Sequence, residues 1–326
     1  MQEKFSIFIP TYNRWSVLAK TLETTLTNNS ICVPVTIVDN NSQPEGLDAV
    51  LQVIAKFPHI PCKIIKNEMN IGGDANLLRC IALCTTPYVL VLGDDDFLVD
   101  DYIAKITRYL SSNVHWGFIS FKDRHCEGFS DKTFDSPYEM VRFSNDWSEL
   151  LFTSTSIVNT EIFRAGMLEA QRAQFTCSSH LVGMLKGWKH RTDDTKHWRF
   201  LLSAERLIST SGHARDSKSF DLIHVFAGLP VLEYFFQEAD THSIVRSAVR
   251  GGTRRVFKPR VLVKVFFHYT LAFGLSAAWR LMLPIRQGFN YTIGRRAIFY
   301  KWYLPLVILI AACLRVLANS SMAQKS

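Results

Sequence analysis

The sequence holds no acidic residue after Asp240. From position 241 to 326 there are fourteen Lys or Arg and neither Asp nor Glu, which leaves 23 of the 37 basic residues against all 29 acidic ones in residues 1–240. The net charge of +8 therefore hides a mildly acidic body and a purely basic, strongly apolar tail. That split points to an anionic surface as the tail's partner. The seven cysteines include no Cys-x-x-Cys pair, and an odd number argues for reduced thiols and a cytosolic location. Cys80 and Cys84 stand four apart with no His or second Cys pair to complete a zinc set, so they read as a helix face. The first fourteen residues lack the apolar h-region of a secretory signal and run straight into a strand. Neither Gly-x-Gly-x-x-Gly nor a P-loop Gly-Lys-Ser/Thr occurs, which excludes dinucleotide oxidoreductases and P-loop NTPases.

What is there is enough for a large core: 326 residues, 48% of them hydrophobic. Short apolar runs at Phe5–Pro10, Val33–Val38, Cys62–Lys66 and Tyr88–Gly93 alternate with helical patterns at Ser16–Thr27, Gly46–Phe57 and Asp74–Cys84. Strands alternating with helices predict a doubly wound α/β sheet. Each strand ends in short polar residues, which would line the crevice outside the carboxyl ends of the strands. The fourth run ends in Asp94, Asp95 and Asp96. Three adjacent carboxylates repel, and a fold keeps them more readily around a cation. Extended-chain alternation would turn Asp94 and Asp96 to one side and Asp95 to the other. The competing reading is an ordinary acidic turn with Asp96 or Asp100 capping the next helix.

The motifs Phe8-Ile9-Pro10-Thr11-Tyr12-Asn13-Arg14, Val38-Asp39-Asn40-Asn41-Ser42, Asn70-Ile71-Gly72-Gly73 and Leu92-Gly93-Asp94-Asp95-Asp96 fall in order at successive strand ends. Together they resemble the family-two nucleotide-sugar glycosyltransferases over about residues 4–215, within them the bacterial O-antigen, abequosyltransferase-like group. The resemblance implies the GT-A fold, a mixed doubly wound sheet. It implies that the turn Pro10, Thr11, Tyr12, Asn13 and Arg14 lies beneath a nucleotide, with Asn40, Asn70, Gly72 and Asp95 beside it. Asp39 would bind the base or ribose, Asp94 the ribose or metal, and Asp96 a Mn²⁺ or Mg²⁺ ion. Many relatives carry a second acid where this chain has Asn40. Relatives also place a Glu-Asp pair before a later helix as the general base; here Gln174 to Leu181 contains no acid. His180 is the titratable side chain of that segment, as base or as a packed helix residue. Asp193 and Asp194 are fallback bases. In the polar loop Leu207–Phe220, His213 is a candidate third metal ligand, and Arg215 or Lys218 a partner for the diphosphate.

The division expected is a catalytic domain over 1–220 and a helical, basic, membrane-associating region over 221–326. The last apolar run, Tyr303–Leu314, is shorter than the roughly 20 residues that span a bilayer. Apolar helices with basic charges and Trp279, Tyr300, Trp302 and Tyr303 suit in-plane binding to an anionic membrane. A span through 299–318, a helical subdomain, and a homo-oligomer contact are the alternatives. Tail aromatics embedded in aliphatic runs favour lipid over bases, so no nucleic-acid partner is expected. The resemblance thus implies a metal-dependent inverting transfer from a nucleoside diphosphate sugar to a polyprenyl-diphosphate-linked acceptor at the cytoplasmic face of the bacterial inner membrane. Its rival is a non-catalytic sugar-binding or scaffold subunit of the same fold.

Overall fold

The computed structural model describes residues 4–122, 129–191, 196–209 and 228–256, with isolated residues between 270 and 312. The chain forms two units, one of Met1–Ser144 with Glu149–Ser219 and one of Asn145–Ser148 with Phe220–Ser326.

The first unit is built on an eight-stranded sheet in the order β3-β2-β1-β4-β7-β5-β8-β6. Strands β1 (Phe5–Thr11), β2 (Val35–Asp39), β3 (Cys62–Lys66) and β4 (Tyr88–Val91) run parallel. β7 (Ser156–Asn159) lies antiparallel between β4 and β5 (His115–Lys122). β8 (Trp198–Arg206) pairs parallel with β5, and β6 (Lys132–Phe134) closes the edge antiparallel. This is the expected doubly wound mixed sheet. Its central strands are buried on both faces, which is why their sequences are continuous apolar runs rather than alternating ones.

Phe5, Ile7 and Ile9 of β1 pack with Leu18 and Leu22 of α1 (Trp15–Thr27), Val50 of α2 (Leu47–Lys56), and Tyr102 and Ile106 of α4 (Tyr102–Leu110). Tyr102, Ile103, Ile106, Tyr109 and Leu110 form one buried stripe on α4, the i, i+4, i+7 spacing of an amphipathic helix. The buried Tyr102 hydroxyl donates to the Thr25 carbonyl at 3.0 Å, so its polar end is satisfied.

The second face carries α3 (Gly73–Leu83) and the group α6 (Thr160–Ala165), α7 (Met167–Arg172) and α8 (Ser179–His190). Of that group, α6 and α7 are short and are broken from one another at Gly166. Asn159 caps α6, its Oδ1 accepting from the N–H groups of Glu161 and Ile162 at 3.0 and 3.1 Å. Residues 123–128 lie outside the described residues, and after them come β6 and α5 (Pro137–Ser144). Tyr138, Met140 and Val141 bury one face of α5 while Glu139 and Arg142 stay out.

In the second unit, Trp147 packs edge-on against Phe236 with ring centroids 6.5 Å apart. A 3₁₀ segment, Leu229–Phe235, leads to α9 (Ala239–Val256), whose Ser247 hydroxyl donates to Asn145 Oδ1 at 2.8 Å. No helix among the described residues is long and apolar enough to cross a membrane. The tail's expected membrane-facing runs lie almost wholly outside the described residues.

Candidate active site at the carboxyl edge of the sheet

The parallel strands β1, β2 and β4 deliver their carboxyl ends to one edge, and the sequence motifs fall there. Thr11 ends β1 and donates its hydroxyl to Asp94 Oδ2 at 2.8 Å. Arg14 then reaches across from the turn: Nη1 donates to Asp94 Oδ1 at 2.6 Å and Nη2 to Asp95 Oδ2 at 2.8 Å. Thr21 of α1 holds the Asp94 carbonyl at 2.8 Å. Burial pushes the Asp94 carboxyl up to about 6, with Asp95 and Asp96 adding to the rise, while Arg14 and Thr11 pull it back.

Alternation along an extended strand does not describe this turn. β4 ends at Val91, and Asp94 and Asp95 share one guanidinium. Asp96 turns back over Gly93: its amide donates to the Gly93 carbonyl, and its Oδ2 accepts the Ser154 hydroxyl at 2.6 Å. A Cβ on Gly93 would stand 2.4 Å from Asp96 Oδ2, so Gly93 is required by the close approach of the carboxylate. Ser154 also accepts the Gly93 N–H at 2.8 Å. It sits in a 3₁₀ turn, Thr153–Thr155, just before β7. Nothing in the short polar run Thr153–Ser156 marks it in the sequence; only the pairing of β7 beside β4 brings it to the acids. Neither Asp96 nor Asp100 caps α4, whose N-cap residue is Asp101 with no side-chain cap bond.

Asp39, at the end of β2, is buried, and its Oδ1 accepts the Ser42 N–H at 2.9 Å, an Asx turn. Its Oδ2 has no partner among the described residues. Asn13 adopts a left-handed φ of 53° and locks this turn to the first, its N–H donating to Ser42 Oγ at 2.8 Å and its Oδ1 accepting from Gln43 at 2.9 Å. Pro10 is half-buried in β1, and Tyr12 is 44% exposed beside it.

Asn40 behaves differently from a ligand. Its Nδ2 donates to Asn70 Oδ1 at 2.7 Å and to the Gly72 carbonyl at 3.3 Å. Its Oδ1 accepts from Asn67 Nδ2 and the Ile71 N–H, both at 2.9 Å. The amide's two donors and two acceptor positions are thus all engaged, and the side chain is buried. Asn40 positions the Asn70–Gly72 turn rather than facing a nucleotide. Asn70 Oδ1 accepts a second bond from Gly72 N–H at 2.9 Å, and Gly72 itself needs its φ of 89°.

His180 is placed as the helix-packing residue, not as an open base. It is buried in the first turn of α8, and its Nε2 has one long contact, 3.5 Å, to the Leu150 carbonyl. Burial lowers it to about 4, so the ring is neutral and enclosed. The acid-free segment before α8 does meet a carboxylate across space: Asp74 Oδ2, in the first turn of α3, accepts the Cys177 N–H at 3.1 Å. Asp193, Asp194, His213, Arg215 and Lys218 lie outside the described residues. A separate cavity of about 380 Å³, lined by Ser6, Thr36, Lys63 and Thr86, opens toward the amino ends of the strands, away from these acids.

The fold and this edge define a GT-A nucleotide-sugar transferase architecture. Residues 6–167 match the family described as glycosyl transferase family 2, so the chain carries a glycosyltransferase domain of that family. Over 123 residues, 37% of each chain, it is 27% identical to abequosyltransferase RfbV of Salmonella typhimurium. It is 24% identical over 166 residues to the uncharacterized glycosyltransferase YwdF of Bacillus subtilis, covering 49% of this chain and 58% of that one. The chain thus spans less than two thirds of the curated relatives it matches. Among solved structures, S. aureus TarS 1-349 superposes with a TM-score of 0.54 at 14% identity, covering 98% of this chain and 92% of that one. TarS 1-349 in complex with UDP-GlcNAc gives a TM-score of 0.53 at 12% identity, with the same coverage.

Proposed function

We propose that the site binds a nucleoside diphosphate sugar and transfers the sugar to an acceptor hydroxyl, with inversion, in one displacement. The observation that carries this reading is the convergence of Asp39, Thr11, Arg14 and Asp94–Asp96 from three separate strands on one edge of the sheet. Family membership and the relatives' names support it; TarS, of similar fold, binds UDP-GlcNAc.

The residues suit a Mn²⁺ or Mg²⁺ ion in chemistry: three carboxylates supply hard oxygen donors. Among the described residues no three His, Cys, Asp or Glu side chains form a ready cage. Ions of this kind are held by one or two carboxylates and completed by substrate phosphates and water. Such an ion, when bound, would neutralise charge on the departing diphosphate. The chain's own part is to hold the nucleotide: Asp39 Oδ2 offers an acceptor to ribose or base, and the Asn70–Gly72 turn, braced by Asn40, lines the pocket. Asp96, aimed by Ser154 and Gly93, is the residue we assign to the metal, with Asp94 beside it.

The acceptor is proposed to be a sugar on a polyprenyl diphosphate, as in O-antigen or other bacterial surface-polysaccharide assembly. The basic apolar tail would hold the enzyme at the cytoplasmic face of the inner membrane, where such an acceptor resides. Replacing Asp96 by Ala is expected to abolish transfer, and chelation of divalent cations to do the same reversibly. Full transfer after chelation would reject the mechanism. The burial of His180, in a segment without acids, favours a second reading, a donor-binding subunit without catalysis. Donor hydrolysis or transfer by the purified protein with Mn²⁺ rejects that reading.

A further inference from the structure

The contacts of Arg14 have a consequence for how the site fills. One guanidinium lies across two adjacent carboxylates, 2.6 Å from Asp94 Oδ1 and 2.8 Å from Asp95 Oδ2. Thr11 holds the other oxygen of Asp94 at 2.8 Å. Both Asp94 oxygens therefore have protein donors. The three side chains are 22%, 8% and 23% exposed, so the pair is shielded from water more than a surface ion pair. Arginine keeps its charge at any working pH, and its planar fork suits carboxylate and phosphate alike.

We propose that Arg14 is a built-in counter-ion that competes with the divalent cation for the acidic turn and yields when a nucleoside diphosphate arrives. With no nucleotide, the guanidinium satisfies Asp94 and Asp95, and a cation entering alone must displace it while gaining few ligands. The diphosphate changes both sides of that balance. Its oxygens complete the cation's shell, and they give Arg14 an anionic partner of the geometry it already prefers. Cation and nucleotide then bind together, each raising the affinity for the other by the same factor. This rests on the reading of the site given above.

The test is Mn²⁺ binding to the full chain, read from the electron paramagnetic resonance signal of free Mn²⁺, without nucleotide and then with UDP or GDP. Arg14→Gln is expected to bind Mn²⁺ about tenfold more tightly than the natural protein when nucleotide is absent, and to lose most of that advantage when it is present. Arg14→Lys keeps the charge but not the fork, and is expected to fall between the two. It serves as the measurement if the Gln variant fails to fold. Mn²⁺ affinity unchanged or weaker in folded Arg14 variants, while the natural protein binds Mn²⁺ and nucleotide together, overturns the competition and leaves the functional reading standing. If the natural protein binds neither nucleotide with Mn²⁺ nor Mn²⁺ alone, the functional reading fails and the inference with it.

Discussion

Asn40 and His180 show how far a residue's type alone carries a role. Asn40 lies in the nucleotide motif, yet its amide is wholly engaged by Asn67, Asn70, Ile71 and Gly72. Asn40→Asp would keep the acceptors, lose both donors, and set a carboxylate 2.7 Å from Asn70 Oδ1. A buried polar group left unsatisfied costs about 1–3 kcal/mol. The variant should therefore melt several degrees lower and bind nucleotide about tenfold more weakly, and an unchanged nucleotide affinity by calorimetry would show that binding does not depend on Asn40 bracing the Asn70–Gly72 turn. His180 was legible as a titratable group in the right segment, but its burial was not, because that depends on the helix packing around it. Its folded pKa, about 4, lies below the unfolded value near 6.5. The stability tied to the neutral ring is thus complete above pH 6.5 and is lost as pH falls towards 4; at pH 5 the loss is about 2 kcal/mol. His180→Leu should flatten that acid dependence in thermal melts from pH 7 to 5 and retain transfer activity. Loss of transfer with the fold intact would instead make His180 the base.

At the scale of elements, three glycines carry predictions of different kinds. Gly187 of α8 has room for no side chain: a Cβ would stand 1.9 Å from the Ile162 carbonyl oxygen and 2.9 Å from the Gly166 amide. The backbone of α6 and the α6–α7 junction cannot move like a side-chain tip, so Gly187→Ala should cost at least about 2 kcal/mol. Gly73, where a Cβ meets nothing within 4 Å, is the control, and its Ala variant should melt within a few degrees of the natural protein. Gly93→Ala differs because the clash is with the Asp96 carboxylate, which can swing. Its expected result is a near-normal melting curve with Mn²⁺-dependent nucleotide binding lost; if binding survives, Asp96 is not held where we place it. The sequence shows why the strands are found easily and these contacts are not. Continuous apolar runs report burial on two faces, whereas the closeness of α8 to α6, or of Ser154 to Gly93, is written in pairs of residues far apart in the chain.

For the molecule as a whole, charge is the feature most plainly legible in the sequence, since an 86-residue stretch without one acid needs no structure to be seen. The sheet order was less so: alternating strands and helices announce a doubly wound sheet, but the insertion of β7 antiparallel between β4 and β5 follows from packing that no local pattern encodes. The proposed role of the tail can be tested by separating its two attractions. Fixed positive charge acts over a Debye length of about 10 Å in 0.1 M salt and about 3 Å in 1 M, whereas apolar insertion is not weakened by salt. The full chain is expected to float more completely with vesicles containing anionic phospholipid than with purely zwitterionic ones. In 1 M salt, flotation should fall but persist, because the aliphatic and aromatic side chains of the tail stay inserted once docked. Equal flotation with both lipids would remove charge from the account, and no flotation with either would remove the membrane. A tail that instead retarded duplex DNA with a steep salt dependence would identify the basic residues as phosphate contacts along a nucleic acid.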